Sequence, residues 1–280
     1  MTYASADLID LDRYPIHRAC PARDALLARV RADLARNGCA VIKQFLTPGG
    51  IAALVQEADR VAETGHRSFS RTNAYFTRDD PALPPEDPRR QFFDRSNAFV
   101  PADNFARDGA LRTIHDRDGF DRFIQDCLQE PAFHRYADPL ADVIVNVAEA
   151  GNGFPWHFDT NNFTVTIAIQ NAEDGGAFEY APHIRKTDEN FAEVARVLAG
   201  TSDKVKVLHL APGDLQIFRG RYSLHRVAPL SGPRRRYVAI FSYVEEQDMV
   251  GAPERVMQLY GRTLPIHHER ARARADSLID

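Results

Sequence analysis

The sequence predicts a mainly β protein with helices packed outside it, and three observations carry that expectation. From residue 142 onward, short apolar runs at 143–148, 164–169, 177–180 and 215–218 recur with turn residues between them, as in a sandwich or barrel. Residues 204–210 begin with a polar/apolar alternation, as a strand with one solvated face does, and Ala211-Pro212-Gly213-Asp214 then supplies a turn. Helical periodicity, in contrast, is concentrated before residue 130, with one inserted stretch at 188–198 and a late one at 254–260. The most economical architecture is a double-stranded β-helix, a cupin-like jelly roll. A chain of 280 residues can hold one such core with an added helical layer.

Taken in order, residues 24–37 space Leu26, Leu27, Val30 and Leu34 at three and four, an amphipathic helix that Gly38 ends. A short strand follows over 39–46. Thr47 and Pro48 then open a second helix that carries Ile51, Leu54, Val55 and Ala58 on one face through about Ala62. Residues 1–67 therefore read as a helix–strand–helix support layer without chemistry. Residues 68–110 are irregular and rich in Pro, Asp and Arg; Pro81, Pro84, Pro85 and Pro88 rule out regular helix there, and so long a stretch suggests a substrate lid. A helix over 111–129 ends before Pro131 and leads into a catalytic core spanning 111–250. Residues 251–280 read as a late helix and a charged tail of the same compact domain.

Hydrophobic content of 44% and charged content of 26% are those of an ordinary globular chain. The net charge of −4 gives no electrostatic reason to expect nucleic acid or an anionic membrane. No apolar run approaches the roughly 20 residues needed to span a bilayer, and the N-terminus lacks the pattern of a secretory signal. Cys20, Cys39 and Cys127 form no Cys-x-x-Cys pair, so reduced thiols and a cytoplasmic location are expected.

The chemistry centres on Trp156-His157-Phe158-Asp159-Thr160-Asn161. On a strand, residues two apart look the same way, so His157 and Asp159 face one space while Trp156 and Phe158 face the other. An imidazole and a carboxylate so placed supply two ligands of a 2-His-1-carboxylate triad. The third is expected from His225, downstream on an antiparallel strand. Beyond it, Gly232-Pro233-Arg234-Arg235-Arg236 enters the run 237–243, and Arg234 and Arg236 share a face with Val238 and Ile240. A guanidinium following an inward row needs an anion, and its planar fork suits a carboxylate. The other histidines, at 17, 66, 115, 134, 183, 209, 267 and 268, read as surface or hydrogen-bonded core and are assigned no metal.

His157-x-Asp159, then His225, then an arginine about ten residues later resembles the iron(II)/2-oxoglutarate-dependent dioxygenases over roughly residues 143–243. Within them, Trp156–Asn161, Gly175-Gly176-Ala177-Phe178-Glu179-Tyr180-Ala181-Pro182 and His225-Arg226-Val227-Ala228-Pro229 are similar to the free-amino-acid hydroxylases related to the lysine halogenases. The resemblance implies iron(II) on His157, Asp159 and His225, with 2-oxoglutarate and O2 as co-substrates and succinate and CO2 as products. It implies that the far carboxylate of 2-oxoglutarate meets Arg236, with Arg234 as the same-face alternate and a hydroxyl from Thr166 helping. Arg95 is the candidate for a substrate α-carboxylate, and Thr160 for a substrate contact. The expected substrate is a small molecule, a free amino acid, with a cationic one such as lysine or arginine considered first. Similar halogenases carry a small residue in place of the carboxylate, so Asp159 points to hydroxylation. Three readings compete: the same iron centre acting on another small molecule or a carrier-bound or peptide substrate, a cupin-type metal enzyme that uses no 2-oxoglutarate, and a jelly-roll binding module with structural histidines.

Overall fold

The computed structural model describes residues 3–270, 278 and 279. The N-terminal layer runs α1 (Ser5–Leu8), α2 (Pro21–Asn37), β1 (Cys39–Ile42) and α3 (Pro48–Val61). After it come β2 (His66–Thr72), β3 (Phe93–Val100), α4 (Ala110–His115), α5 (Phe120–Leu128) and β4 (His134–Arg135). The centre of the chain supplies β5 (Val143–Ala148), β6 (Phe154–His157), β7 (Phe163–Gln170), β8 (Asp174–Gly175), β9 (Phe178–Ala181) and α6 (Phe191–Leu198). The remainder holds β10 (Lys206–Leu208), β11 (Leu215–Phe218), β12 (Leu224–Val227), β13 (Leu230–Ser231), β14 (Arg236–Val244), α7 (Pro253–Tyr260) and α8 (Pro265–Glu269).

The strands form a jelly roll. The large sheet is ordered β1-β11-β7-β14-β5-β3-β2, with β4 alongside β14; the small sheet is ordered β10-β9-β12-β6. All of the paired strands are antiparallel. Strand alternation divides the large sheet into two chemically different faces. On β14, Tyr237, Ala239, Phe241 and Tyr243 join a core shared with Leu27, Val30 and Leu34 of α2 and with Leu54 and Ala58 of α3. The intervening Arg236, Val238, Ile240 and Ser242 line a cavity between the sheets. The same division holds on β7, where Val165 and Ile167 pack outward while Thr164 and Thr166 face the cavity. Each buried side chain of this outer face contributes roughly 1.5–3 kcal/mol. The helices therefore anchor the sheet and leave its inner face available for polar groups.

The helix ends follow local rules. Thr47 accepts a hydrogen bond from the Gly50 amide as N-cap of α3, and Gly38 closes α2 at φ +64°. The helix expected over 111–129 is two helices, because Gly119 takes φ +83° and the chain turns between them. The expectation of an irregular lid over 68–110 also needs correction: the stretch contains the antiparallel hairpin β2·β3, in register from His66↔Phe99 to Thr72↔Phe93. β2 is an edge strand, held by backbone pairing rather than by an apolar row, so alternation did not mark it. The prolines fall in the 73–92 connection between the two strands. Of the expected charged tail, residues 271–277 and 280 lie outside the described residues.

The C-terminal segment is tied down by one buried pair. His267 and Asp138 are both fully buried, with Nε2 3.0 Å from Oδ1. The Leu264 amide donates to His267 Nδ1, so the ring proton sits on Nε2 and is donated to Asp138. The Asp138 carboxylate also accepts from the Leu140 and Gly251 amides, joining the start of β5 to the approach to α7. His267→Ala leaves those oxygens short of a donor and should lower stability by about 2 kcal/mol, read from the urea midpoint. An unchanged midpoint would show that the pair is not holding this segment.

Candidate metal centre

His157 at the end of β6 and His225 on β12 are direct register partners in the small sheet, and their ring centroids lie 4.1 Å apart. Each ring is oriented by its own backbone: Nδ1 of His157 is 2.8 Å from the Pro155 carbonyl, and Nδ1 of His225 is 2.9 Å from the Ser223 carbonyl. Those carbonyls take the Nδ1 protons and leave both Nε2 lone pairs for a metal. Nε2 of His157 is 3.5 Å, and Nε2 of His225 3.3 Å, from Oδ1 of Asp159. The ligand atoms of the three residues lie within 4.8 Å of one another, the one such cluster of His, Cys, Asp and Glu among the described residues.

Asp159 arrives by a different route from the one expected. β6 stops at His157, so strand alternation does not aim the carboxylate. Instead the Phe158 amide donates to the Ala74 carbonyl and the Asp159 amide to the Gly220 carbonyl, fixing the chain just beyond the strand. The Thr164 hydroxyl donates to Asp159 Oδ2 at 2.6 Å, which leaves Oδ1 to the histidines. Space is made by Gly220, where an added Cβ would lie 1.8 Å from Oδ2. Trp156 and Phe158 turn to the opposite side and pack with Tyr75 and Ile184. Burial, with His225 alongside, pushes His157 down to about 3. Burial opposes ionisation of Asp159, but the two imidazoles outweigh it and hold its carboxyl well below the usual range. Two neutral imidazoles and one carboxylate are the donor set that suits iron(II) with open positions, so the residues fit the metal.

Arg236 lines the same cavity from the large sheet, buried and opposite Ala148. It makes no hydrogen bond or ion pair among the described residues, and burial alone brings its guanidinium down to about 10. Such a group suits the far carboxylate of a keto diacid. Thr166 also faces the cavity; its hydroxyl donates to Gln216 Oε1 at 2.9 Å, and the Gln216 amide reaches Cys39 Sγ at 3.3 Å. Arg234 does not line the cavity. It is exposed and donates to the Ala172 carbonyl, because 232–235 form a turn and strand alternation begins only at Arg236. Arg235 pairs outward with Glu63 and Glu149.

Of the two substrate candidates, Thr160 lines the cavity. Arg95 sits on β3 rather than on a lid, 1% exposed, behind the wall. Its guanidinium lies over Phe154 at 4.6 Å, and Phe154 in turn packs against the His157 ring at 3.9 Å. Sequence reasoning missed Thr164 and Gly220, which place Asp159, and Arg255 of α7, which lines the cavity with its guanidinium 3.6 Å over the Phe76 ring. A signal for Arg255 existed: a basic residue four before Leu259, on the inward face of a late amphipathic helix.

Solved structures with this fold include a 2OG-Fe(II) oxygenase family oxidoreductase from Burkholderia pseudomallei, with 14% identity, TM-score 0.52, and 79% of this chain and 91% of that chain covered. A prolyl hydroxylase from Trichoplax adhaerens, in complex with a hypoxia inducible factor peptide fragment, shares 17% identity at TM-score 0.52, over 81% of this chain and 92% of that one. The alpha ketoglutarate dependent epimerase SnoN of nogalamycin biosynthesis shares 15% identity at TM-score 0.57, over 79% and 82%. No curated protein matches the sequence. These neighbours share the fold, and the His-Asp-His centre has the donor set of an iron(II)/2-oxoglutarate-dependent oxygenase. More narrowly, the family model described as Halogenase D matches residues 22–257, and the chain belongs to that family.

Gly220→Ala should push the Asp159 carboxylate out of place while leaving the sheets intact. We expect iron(II) affinity to fall by about 10- to 100-fold in an anaerobic metal titration, with an unchanged circular dichroism spectrum. Wild-type affinity in this variant would mean that the Asp159 carboxylate is not confined as described.

Proposed function

We propose that the chain hydroxylates an unactivated C–H bond of a free amino acid, with iron(II), 2-oxoglutarate and O2, releasing succinate and CO2. One observation carries this reading: Asp159 is seated beside both imidazoles in a cavity whose other wall presents the unpaired guanidinium of Arg236. His157, Asp159 and His225 would hold the iron, which supplies with its co-substrates the two-electron oxidation that inserts one oxygen atom into the C–H bond. Arg236 would grip the far carboxylate of 2-oxoglutarate by two parallel hydrogen bonds, and the Gln216-braced hydroxyl of Thr166 would keep it in register. Thr164 holds the metal-facing orientation of Asp159. Phe154, Phe178 and Phe218 pack around the imidazoles and keep water from them.

A carboxylate at position 159 favours hydroxylation over halogenation, since halogenases similar to this chain have a small residue there. Three free cysteines support a reducing, cytoplasmic setting, in which iron(II) persists. Among the described residues no helix is long and apolar enough to cross a membrane.

The direct test reconstitutes the protein anaerobically with iron(II), admits O2, and screens free amino acids for succinate and for a product heavier by one oxygen atom. If no amino acid gives both, the reading fails. Arg236→Gln should raise the 2-oxoglutarate concentration needed for half-maximal succinate release by about 10- to 100-fold, the loss of one charged hydrogen-bonding group, and leave iron binding unchanged. An unchanged requirement would place the co-substrate carboxylate elsewhere.

A further inference from the structure

Arg255 is a second cavity-lining guanidinium, on a different element from Arg236. Among the described residues its one hydrogen bond runs from Nη1 to Gln258 Oε1 at 2.6 Å, and its Nε is buried without a partner. Behind it stands Arg95, both of whose Nη atoms are also buried without partners. Among the described residues no carboxylate forms an ion pair with either side chain, and burial, with Arg255 alongside, holds Arg95 well below its usual range. A buried cation beside a half-buried one is unfavourable unless an anion comes between or beside them. The co-substrate has one far carboxylate, and Arg236 answers it, so the Arg255 side of the cavity is provided for another molecule.

The acids in the cavity lining are just as informative. They are Asp159, committed to the metal, and Asp138, whose oxygens accept from the Leu140 and Gly251 amides and from His267. No free carboxylate is left for an ammonium or guanidinium at the end of a substrate side chain, which removes the basis for expecting lysine or arginine. An α-ammonium differs, because its own neighbouring carboxylate compensates it. Most of the rest of the lining is apolar, with Phe99, Ile144, Phe154, Val227, Ile240 and Leu259 among its side chains; Tyr136, Asn146 and Tyr260 add uncharged polar groups.

We infer that Arg255 anchors the carboxylate of the substrate and that the site selects an acid with an uncharged, apolar body. The inference rests on the oxygenase reading above and names the substrate class for that site. Arg95 adds positive charge from behind the Phe154 ring, and the Phe76 ring holds the Arg255 fork in plane.

The test separates binding from turnover. Calorimetric titration of the anaerobic protein loaded with iron(II) and 2-oxoglutarate uses L-leucine, L-phenylalanine and 4-methylpentanoate against L-lysine, L-arginine and L-leucinamide. At least one apolar acid should bind about tenfold or more tightly than lysine or arginine, and leucine more tightly than its amide. Arg255→Gln should erase the preference for acid over amide, and Arg255→Lys should restore part of it, an outcome that a merely structural role would not give. Lysine or arginine binding at least as tightly as every apolar acid overturns the inference, as does an acid-over-amide preference surviving in Arg255→Gln. If Arg255→Gln does not fold, Arg255→Lys decides: an undiminished preference overturns the anchor and a weakened one supports it. Tight binding of an apolar acid without succinate release supports the anchor while refuting the proposed reaction. Succinate release coupled to lysine alone does the reverse.

Discussion

The antiparallel pairing of β12 with β6 sets two imidazoles side by side, and the rest of the site is built to make that tolerable. Rings 4.1 Å apart would repel if both were charged imidazolium, and their burial makes the charged forms costlier still. The backbone resolves this without further side chains. Two carbonyls, each two residues upstream of the ring it serves, take the Nδ1 protons and turn the Nε2 lone pairs toward one point. Asp159 then brings the negative charge that a dication binding there needs. A carboxylate beyond a strand end is free to swing, which is why its amide, its Oδ2 and the glycine beside it are all constrained.

The sheet opposite meets a different requirement. A buried, unpaired arginine costs stability, and Arg236 is tolerable because the other face of its strand is so well packed. Tyr237, Ala239, Phe241 and Tyr243 alternate with the cavity residues and are buried under the helices. Tyr243 also donates from its hydroxyl to Asp121 of α5, and Tyr237 to Asp59 of α3, so that layer is fixed by direction as well as by area. Stability from the outer face is thus what permits polar, functional groups on the inner one.

How much of this could be read beforehand depended on whether a residue's position followed from a period. The two histidines and Arg236 lie on strands, where spacing carries direction, and the sequence placed them in one cavity. Asp159 was named on the same logic, although β6 ends before it and tertiary hydrogen bonds orient it. Arg234 fails as an alternate for the same reason, since alternation cannot extend back through a turn. The hairpin β2·β3 went unseen because an edge strand of Arg, Ser and Thr pairs through its backbone and shows no apolar row. Gly220 left no trace at all: its role is to lack a Cβ where a distant carboxylate approaches, and only the fold brings the two together.

The oxidising centre and the groups that would choose the substrate come from different parts of the chain. His157, His225, Thr166 and Arg236 belong to strands of the sandwich. Arg255 and Phe76 belong to α7 and to the connection after β2, and Arg95 to the strand next to that connection's end. Of this outer set, α7 is held by the Asp138–His267 pair, away from the metal ligands, whereas Phe76 meets the His157 ring and Ala74 of the same connection accepts from the Phe158 amide. A change in α7 can therefore redirect which molecule is admitted while the three ligands keep their geometry. A change at Gly220 or Thr164 acts in the opposite sense, altering the centre first through the Asp159 carboxylate. The division is one of anchors: the ligands are set by strand register and local carbonyls, and Arg255 by the packing of α7 against a wall whose Phe99, Ile144, Phe154, Val227 and Ile240 belong to the strands.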